Sequence, residues 1–413
     1  MMMRFLYNTG MHVYQFLIWV ASFRNPKAQK WLTGRKNLFE KIQKEVLPCE
    51  HLLWFHVSSL GEFEQARPVI EGVKKNFPDY KILLTFYSPS GYELRKDYPL
   101  ADYVYYLPLD TPRNATRFLD IVKPDKVFFV KYEFWYNFLT ELKKREIPTY
   151  IFSALFRPSQ FFFKPYGKWF LKALKAYTHI FVQNQSSFDV LQQFGFDNVS
   201  ISGDTRLDRV AQIARAASDL PKVEKFCAGS RVIVAGSTWQ EDEELFLTYV
   251  NECTHTVKFV IAPHEVNEKS LERITTLLKR PYILYSADST AEEFSKADVL
   301  VVDGYGYLVS VYRYAQIAYI GGGFTTGIHS ILEPAVYGMP VVFGPDYHKF
   351  HEAIEMIQLG AAHSVANYEE LKNLLESYLT DPVRLETESL FASQYVESNR
   401  GATEQIVHYF FKK

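Results

Sequence analysis

Residues 317–349 read IAYIGGGFTTGIHSILEPAVYGMPVVFGPDYHK. The apolar run Ile317–Ile320 is too short for a helix and stops at Gly321, Gly322 and Gly323. Leu332, Glu333 and Pro334 open a helix, Gly338 and Pro340 close it, and a second apolar run follows at Val341–Phe343. Strand, glycine turn, helix and strand in that order make the βαβ unit of a parallel sheet. Glycines after a strand let backbone approach a phosphate closely. Glu333 stands where an acidic residue accepts the hydroxyls of a ribose in other nucleotide folds. The spacing fits neither GxGxxG nor a Walker A.

The same alternation extends upstream. Val232–Ala235, Val257–Ile261, Tyr282–Tyr285 and Val299–Val302 read as strands of one series. Leu52–Val57, Lys81–Phe86, Lys126–Val130, Thr149–Phe152 and His179–Val182 form an earlier one. A helix at Leu207–Ala217 and a polar, Pro-containing break at Ser218–Lys222 separate the two. A chain of 413 residues exceeds what one core usually organises. The expectation is therefore α/β, with a Rossmann-like domain at 25–217 and a second at 218–389. A helix within 390–413, Leu390–Phe411, packs back on the first. Open α/β sheets bind ligands outside the carboxyl ends of their strands. Two such sheets facing an interdomain cleft suit transfer from a nucleotide-activated donor to a separate acceptor, with water excluded on closure.

Charge narrows the partners. With 46 basic and 47 acidic residues there is no field to attract nucleic acid. Cys49, Cys227 and Cys253 show no zinc spacing and read as reduced structural thiols. An aromatic content of 16% is high, and runs such as Phe161–Phe163 either fill cores or face lipid. Residues 1–24 read as a membrane anchor: Phe5–Phe23 is apolar but interrupted by Asn8, Gly10, His12 and Gln15, so it either spans or lies flat. No small-residue cleavage site follows. Arg24, Lys27, Lys30, Arg35 and Lys36 follow it, against Arg4 alone before it. That asymmetry places the body on the cytoplasmic side and offers a cluster to anionic headgroups.

Candidate chemistry lies at strand ends. After Leu52–Val57 come Ser58, Ser59, Leu60, Gly61 and Glu62, where Gly61 allows a tight turn and Glu62 reaches a helix N-terminus as a base or as a partner of the helix dipole. Glu133, after Lys126–Val130, is either buried against a partner such as Lys131 or held for a sugar hydroxyl. Ser237 and Thr238 precede an acidic helix, with Thr238 and Glu241 at capping-box spacing. That helix N-terminus also suits a phosphate, although Glu241–Glu244 would oppose one if they faced it. His348, His351 and Glu352 lack further ligands at a recognisable spacing, so no metal site is expected.

Ser59-Leu60-Gly61-Glu62, Glu133-Phe134-Trp135, Gly203-Asp204, Gly321–Gly323, His329, Leu332-Glu333-Pro334 and Phe343-Gly344-Pro345 together resemble the 3-deoxy-D-manno-octulosonic acid (Kdo) transferases, over almost the whole chain. The resemblance implies a GT-B glycosyltransferase fold and inverting, metal-independent transfer from CMP-Kdo, a substrate and not a cofactor. The implied acceptor is a lipid A precursor, lipid IVA, and the implied place is the cytoplasmic face of the bacterial inner membrane, against its phospholipid surface. It implies Glu62 as general base, with Ser59, Gly61 and Glu133 on the acceptor side. It implies donor contacts from Arg206, Ser237, Thr238, His264, Gly322, Gly323, His329, Ser330, Glu333 and Lys349. Two positions depart from the pattern: Ala262-Pro263-His264-Glu265 lacks an arginine common there, and Lys349 replaces an uncharged Asn. A GT-B transferase using a UDP-sugar, a non-hydrolysing UDP-sugar epimerase and a non-catalytic lipid-binding scaffold are the competing readings.

Overall fold

The computed structural model describes residues 2–47, 51–325 and 327–411, so Cys49 lies outside the described residues. The chain divides into two compact units, unit 1 comprising Met1–Arg209 with Arg400–Lys413, and unit 2 comprising Val210–Asn399.

Unit 1 holds β1 (Leu52–Val57), β2 (Lys81–Phe86), β3 (Tyr103–Tyr106), β4 (Lys126–Val130), β5 (Thr149–Ala154), β6 (His179–Val182) and β7 (Val199–Ile201). All pair in parallel in the order β3-β2-β1-β4-β5-β6-β7. Every residue of β1 is buried. Leu52 and Trp54 enter the core on one face, Leu53, Phe55 and Val57 the core on the other, as a sheet covered on both sides requires. Unit 2 holds β8 (Arg231–Thr238), β9 (Val257–Pro263), β10 (Tyr282–Leu284), β11 (Val299–Val301), β12 (Ile317–Ile320), β13 (Val341–Phe343) and β14 (Ala362–Ser364), again all parallel, in the order β10-β11-β9-β8-β12-β13-β14.

The strands absent from the sequence reading are β3, β7 and β14, all short and at sheet edges, where burial is incomplete and the apolar run is weakest. The segment expected as one helix over Leu390–Phe411 is two. Pro382–Asn399 stays with unit 2, and Gly401 takes φ +100° to end it before Ala402–Phe411. Ala402, Ile406, Val407 and Phe410 make a helical stripe in the unit 1 core, and Asp208 caps that helix by accepting from the Gly401 and Thr403 N–H groups, both at 2.7 Å.

The N-terminal helix is Met2–Ala21, and no helix among the described residues is long and apolar enough to cross a membrane. Two of its residues attach it: the Tyr7 hydroxyl donates to Asp110 at 2.6 Å, and Asn137 donates to the side chain of Asn8, one of the polar interruptions, at 2.9 Å. Tyr7 also packs against Tyr136, Trp169 and Phe170. Phe5, Phe16, Leu17, Trp19 and Phe23 stay exposed. Arg35 does not belong to a surface cluster: its guanidinium lies 3.8 Å from the Trp31 ring centre and donates to the carbonyls of Leu107 and Tyr87, each at 2.8 Å. Burial lowers it to about 10. Most aromatics fill cores; of the Phe161–Phe163 run only Phe161 is exposed.

Candidate active site

In each sheet the chain crosses from one side of its first strand to the other at one place, and there the loops leaving two adjacent strands diverge to opposite faces and leave a crevice. In unit 1 that place lies between β1 and β4, in unit 2 between β8 and β12. Most of the candidate residues lie on those four loops, while Arg206 follows β7, His264 follows β9 and Lys349 follows β13.

Beyond β1, Ser59 is extended (φ −138°) and caps the helix Leu60–Asn76, its Oγ accepting from the Gly61 N–H at 3.2 Å. The Ser59 hydroxyl also contacts the Glu62 carboxylate. Glu62 is half-buried in the first helical turn, where the dipole favours its charge. Beyond β4, Lys131 is left-handed (φ +65°), and the chain then turns Glu133 into the protein, where it is 3% exposed. Its partners are not Lys131. Trp135 Nε1 donates to Glu133 Oε2 at 2.6 Å, and His56 Nε2 lies 3.2 Å from the same oxygen, at ion-pair distance without hydrogen-bond alignment. His56 Nδ1 in turn lies 2.9 Å from Thr85 Oγ1, which accepts from Trp54 Nε1 at 2.7 Å. Glu133 therefore shapes the β4 loop from inside.

Arg206 belongs to unit 1. Its Nε donates to Asp204 Oδ2 at 2.8 Å and its backbone N–H to Oδ1 at 2.9 Å, and Gln65 Nε2 donates to the same Oδ1 at 3.0 Å. Burial would raise the Asp204 carboxyl, but Arg206 and these bonds hold it below its ordinary value. Tyr132, raised chiefly by burial, feels the charges of Arg157, Arg206, Glu62 and Asp204, which places Glu62 and Arg206 in one neighbourhood. Tyr132 and Arg157 escaped the sequence reading because no motif marks them.

In unit 2, β8 ends with Ser237 left-handed (φ +54°) and half-buried. The helix that follows is Gln240–Glu252, capped at Trp239 and not at Thr238. Asp242 accepts from the Trp239 N–H at 3.0 Å, replacing the capping pair expected from Thr238 and Glu241. Thr238 is buried and donates to Glu243 at 3.1 Å, and Arg273 holds the other oxygen of Glu243 at 2.6 Å. Asp242, fully buried, also accepts from the Tyr319 hydroxyl at 2.7 Å and the Gly322 N–H at 2.8 Å. Two of the four acidic residues expected to repel an anion are thus turned inward and satisfied.

The glycines of the β12 turn are required by protein, before any ligand. A Cβ on Gly321 would lie 2.3 Å from the Ser237 carbonyl oxygen, and one on Gly323 would lie 2.5 Å from the Gly344 nitrogen. Gly322 is left-handed at φ +92°. This packing brings the β8, β12 and β13 loops together. His329 and His264 stack at 4.2 Å between ring centres, and Trp239 stacks on His264 at 4.8 Å. Burial, with His264 beside it, lowers His329 to about 4, so it is neutral near pH 7. Ser330 is exposed, and Lys349 is exposed 3.8 Å from Asp346. Burial raises Glu333 to about 7, against an opposing hydrogen bond from Ser330. Among the described residues no cluster of three His, Cys, Asp or Glu could hold a metal ion.

Residues 31–209 match the family described as 3-Deoxy-D-manno-octulosonic-acid transferase (kdotransferase). The 3-deoxy-D-manno-octulosonic acid transferase of Aquifex aeolicus (strain VF5) is 28% identical over 340 residues, which cover 80% of this chain and 87% of that relative. Over these stretches the chain is similar to the Kdo transferases. Its β1–β7 unit is the part that the family description matches, and both the Ser59–Glu62 and the Glu133 loops fall within it. Two solved structures share the fold of this chain. UDP-GlcNAc 2-epimerase from Neisseria meningitidis, bound to UDP-GlcNAc, superposes with a TM-score of 0.62 at 17% identity, over 88% of this chain and 100% of its own. MurG of Acinetobacter baumannii does so at 0.60 and 13% identity, over the same shares. The fold is GT-B-like: two parallel, seven-stranded Rossmann-like sheets.

Proposed function

We propose that this chain is a Kdo transferase, moving Kdo from CMP-Kdo to a hydroxyl of a lipid A precursor such as lipid IVA, with inversion and without a metal. The observation that carries the reading is the placement of Glu62. A half-buried carboxylate stands beyond β1, at the rim where open sheets bind ligands, in the part of the chain that is similar to the Kdo transferases. Glu62 takes the proton from the acceptor hydroxyl as that oxygen bonds to the anomeric carbon. The bond from that carbon to the CMP oxygen breaks on the opposite side, and its electron pair leaves with CMP. Arg206, aimed by Asp204 and Gln65, supplies positive charge to the anionic substrates. Unit 2 holds the nucleotide: Glu333 takes the ribose hydroxyls, and Gly322, Gly323, His329 and Ser330, with Ser237, His264 and Lys349, meet the phosphate. Thr238 and Glu133 serve from beneath the surface, by fixing the β8 and β4 loops.

The helix Met2–Ala21 lies on the cytoplasmic membrane surface. Its exposed Phe5, Phe16, Leu17 and Trp19, with Phe23 just beyond it, support this, as does its polar attachment to Asp110 and Asn137, a pattern suited to an interfacial helix.

The reading is tested by incubating the full chain with lipid IVA in mixed micelles and either CMP-Kdo or UDP-GlcNAc, with EDTA present, and following product by mass spectrometry. Addition of Kdo from CMP-Kdo alone is the expected result; turnover of UDP-GlcNAc with none of CMP-Kdo overturns it. Glu333 adds a pH dependence. Ribose hydroxyls donate to a carboxylate, so donor binding requires the ionised form. Its folded value of about 7 exceeds its ordinary 4.5, so between these the folded state holds the extra proton. Stability from this group therefore rises as pH falls from 7 towards 4.5, while donor affinity falls. CMP affinity by calorimetry is expected to weaken about tenfold per unit below pH 7, and a pH-independent affinity between 5.5 and 8 would exclude the ribose role.

A further inference from the structure

Trp239 was invisible to motif reading, yet its indole is bonded to one of the residues assigned to the donor. The Trp239 Nε1–H lies 2.9 Å from His329 Nε2, with the two ring planes within 9° of parallel. Indole nitrogen is a donor only, so His329 Nε2 must be the acceptor and its proton must sit on Nδ1. His264 stacks against both rings and fixes the plane in which that bond is made. The Cδ2 edge of His329 packs on Gly322, where an added Cβ would come within 3.2 Å of it. The Nδ1 edge faces the other way, and among the described residues no hydrogen bond to it is found.

We propose that Trp239 is a positioning residue that locks His329 in the Nδ1–H tautomer, so that the ring offers a neutral N–H donor to the phosphate of a nucleotide-activated sugar. This rests on the assignment of the nucleotide to unit 2 given above. The lock separates two functions that a protonated imidazole would merge. A doubly protonated ring would set an N–H against the indole N–H, so Trp239 opposes protonation of His329, in the same direction as burial. The phosphate then receives a directed hydrogen bond whose strength does not change through the neutral pH range. Positive charge for the departing CMP is left to other groups.

The test uses two variants of the full chain. Trp239→Phe keeps a stacking ring and removes the N–H. Trp239→His restores an N–H, because an imidazole Nε2 can occupy the place of the indole Nε1. Side-chain nitrogen spectra of protein labelled at histidine, with the His329 signals assigned by comparison with His329→Gln, read the tautomer without any substrate. Calorimetry reads CMP binding. Wild type and Trp239→His are expected to show a protonated Nδ1 and a bare Nε2 at His329. Trp239→Phe is expected to show a mixture or the opposite tautomer, with CMP affinity down about tenfold, the cost of one hydrogen bond to a charged group. A bare Nε2 that persists fully in Trp239→Phe overturns the lock. A tautomer that switches while CMP affinity stays unchanged overturns its role in binding. Absence of CMP binding by wild type refutes the nucleotide assignment instead, and the tautomer spectra still decide the lock by themselves.

Discussion

Glu62→Gln is expected to lower kcat for Kdo transfer by roughly 10³-fold, within the range that a positioned general base supplies. The substitution keeps the size of the side chain and one oxygen acceptor. The Ser59 contact with position 62 survives, and so does the Ser59 cap on Gly61. What is lost is the ability to take a proton. The fold and both substrate sites should therefore persist: an unchanged melting temperature, a KM for CMP-Kdo within about twofold of wild type, and a collapse confined to kcat separate loss of a base from loss of binding. Glu62→Asp retains the base but draws it back by one methylene, and is expected to fall between the two, since reach matters as much as basicity. A Glu62→Gln enzyme within tenfold of wild type would remove Glu62 from the chemistry and turn attention to the other groups near Tyr132.

The contrast between Glu62 and Glu133 shows which parts of this protein can be read from sequence. Both are glutamates just past a strand, in apolar or aromatic surroundings, and sequence spacing treats them alike. One is half-buried at the rim; the other is in the core, bonded to Trp135 beside His56. That difference depends on the left-handed turn at Lys131, and no residue type announces such a turn at a lysine. The alternating strands and their glycine turns were legible because a parallel sheet buried on both faces demands uninterrupted apolar runs. The strand order was not, because it arises from which runs pair, and it is the order that brings the β1 loop beside the β4 loop and the β8 loop beside the β12 loop. Charge was the least legible property. Arg35 stands among basic residues that look like a membrane-facing cluster, yet it fills an aromatic box of Trp31, Tyr87 and Tyr106. In the run Glu241–Glu244 the two middle acids are buried and the outer two are exposed, because a helix turns neighbouring side chains in different directions.

One of the two buried members of that run, Asp242, carries the second large expected effect. Its carboxylate accepts from the Trp239 N–H, the Tyr319 hydroxyl and the Gly322 N–H, and so joins the end of β8, the strand β12 and the glycine turn after it. Burial raises the Asp242 carboxyl, and the bonds to Gly322, Tyr319 and Trp239 oppose that rise. Removing the side chain strands all three donors in the interior, each at a cost of about 1–3 kcal/mol, partly relieved where water enters the vacated space. Asp242→Ala is therefore expected to destabilise unit 2 by about 3–5 kcal/mol, which lowers its melting temperature by roughly 10 °C for a body of this size. Donor binding should suffer with it, because Gly322 loses the bond that anchors a turn with φ +92°. Glu244→Ala, two residues on and exposed, is the matched control and should stay within about 0.5 kcal/mol of wild type. Asp242→Asn separates charge from shape: its oxygen can still accept, but its amide presents N–H groups to neighbours that are themselves donors, so it should recover part of the stability and little of the CMP affinity. Calorimetric melting together with CMP titration of the three variants decides the matter. If Asp242→Ala melts within 2 °C of wild type, the carboxylate is not what holds the glycine turn to the sheet, and the steric fit of Gly321 and Gly323 against the neighbouring loops must hold it without help.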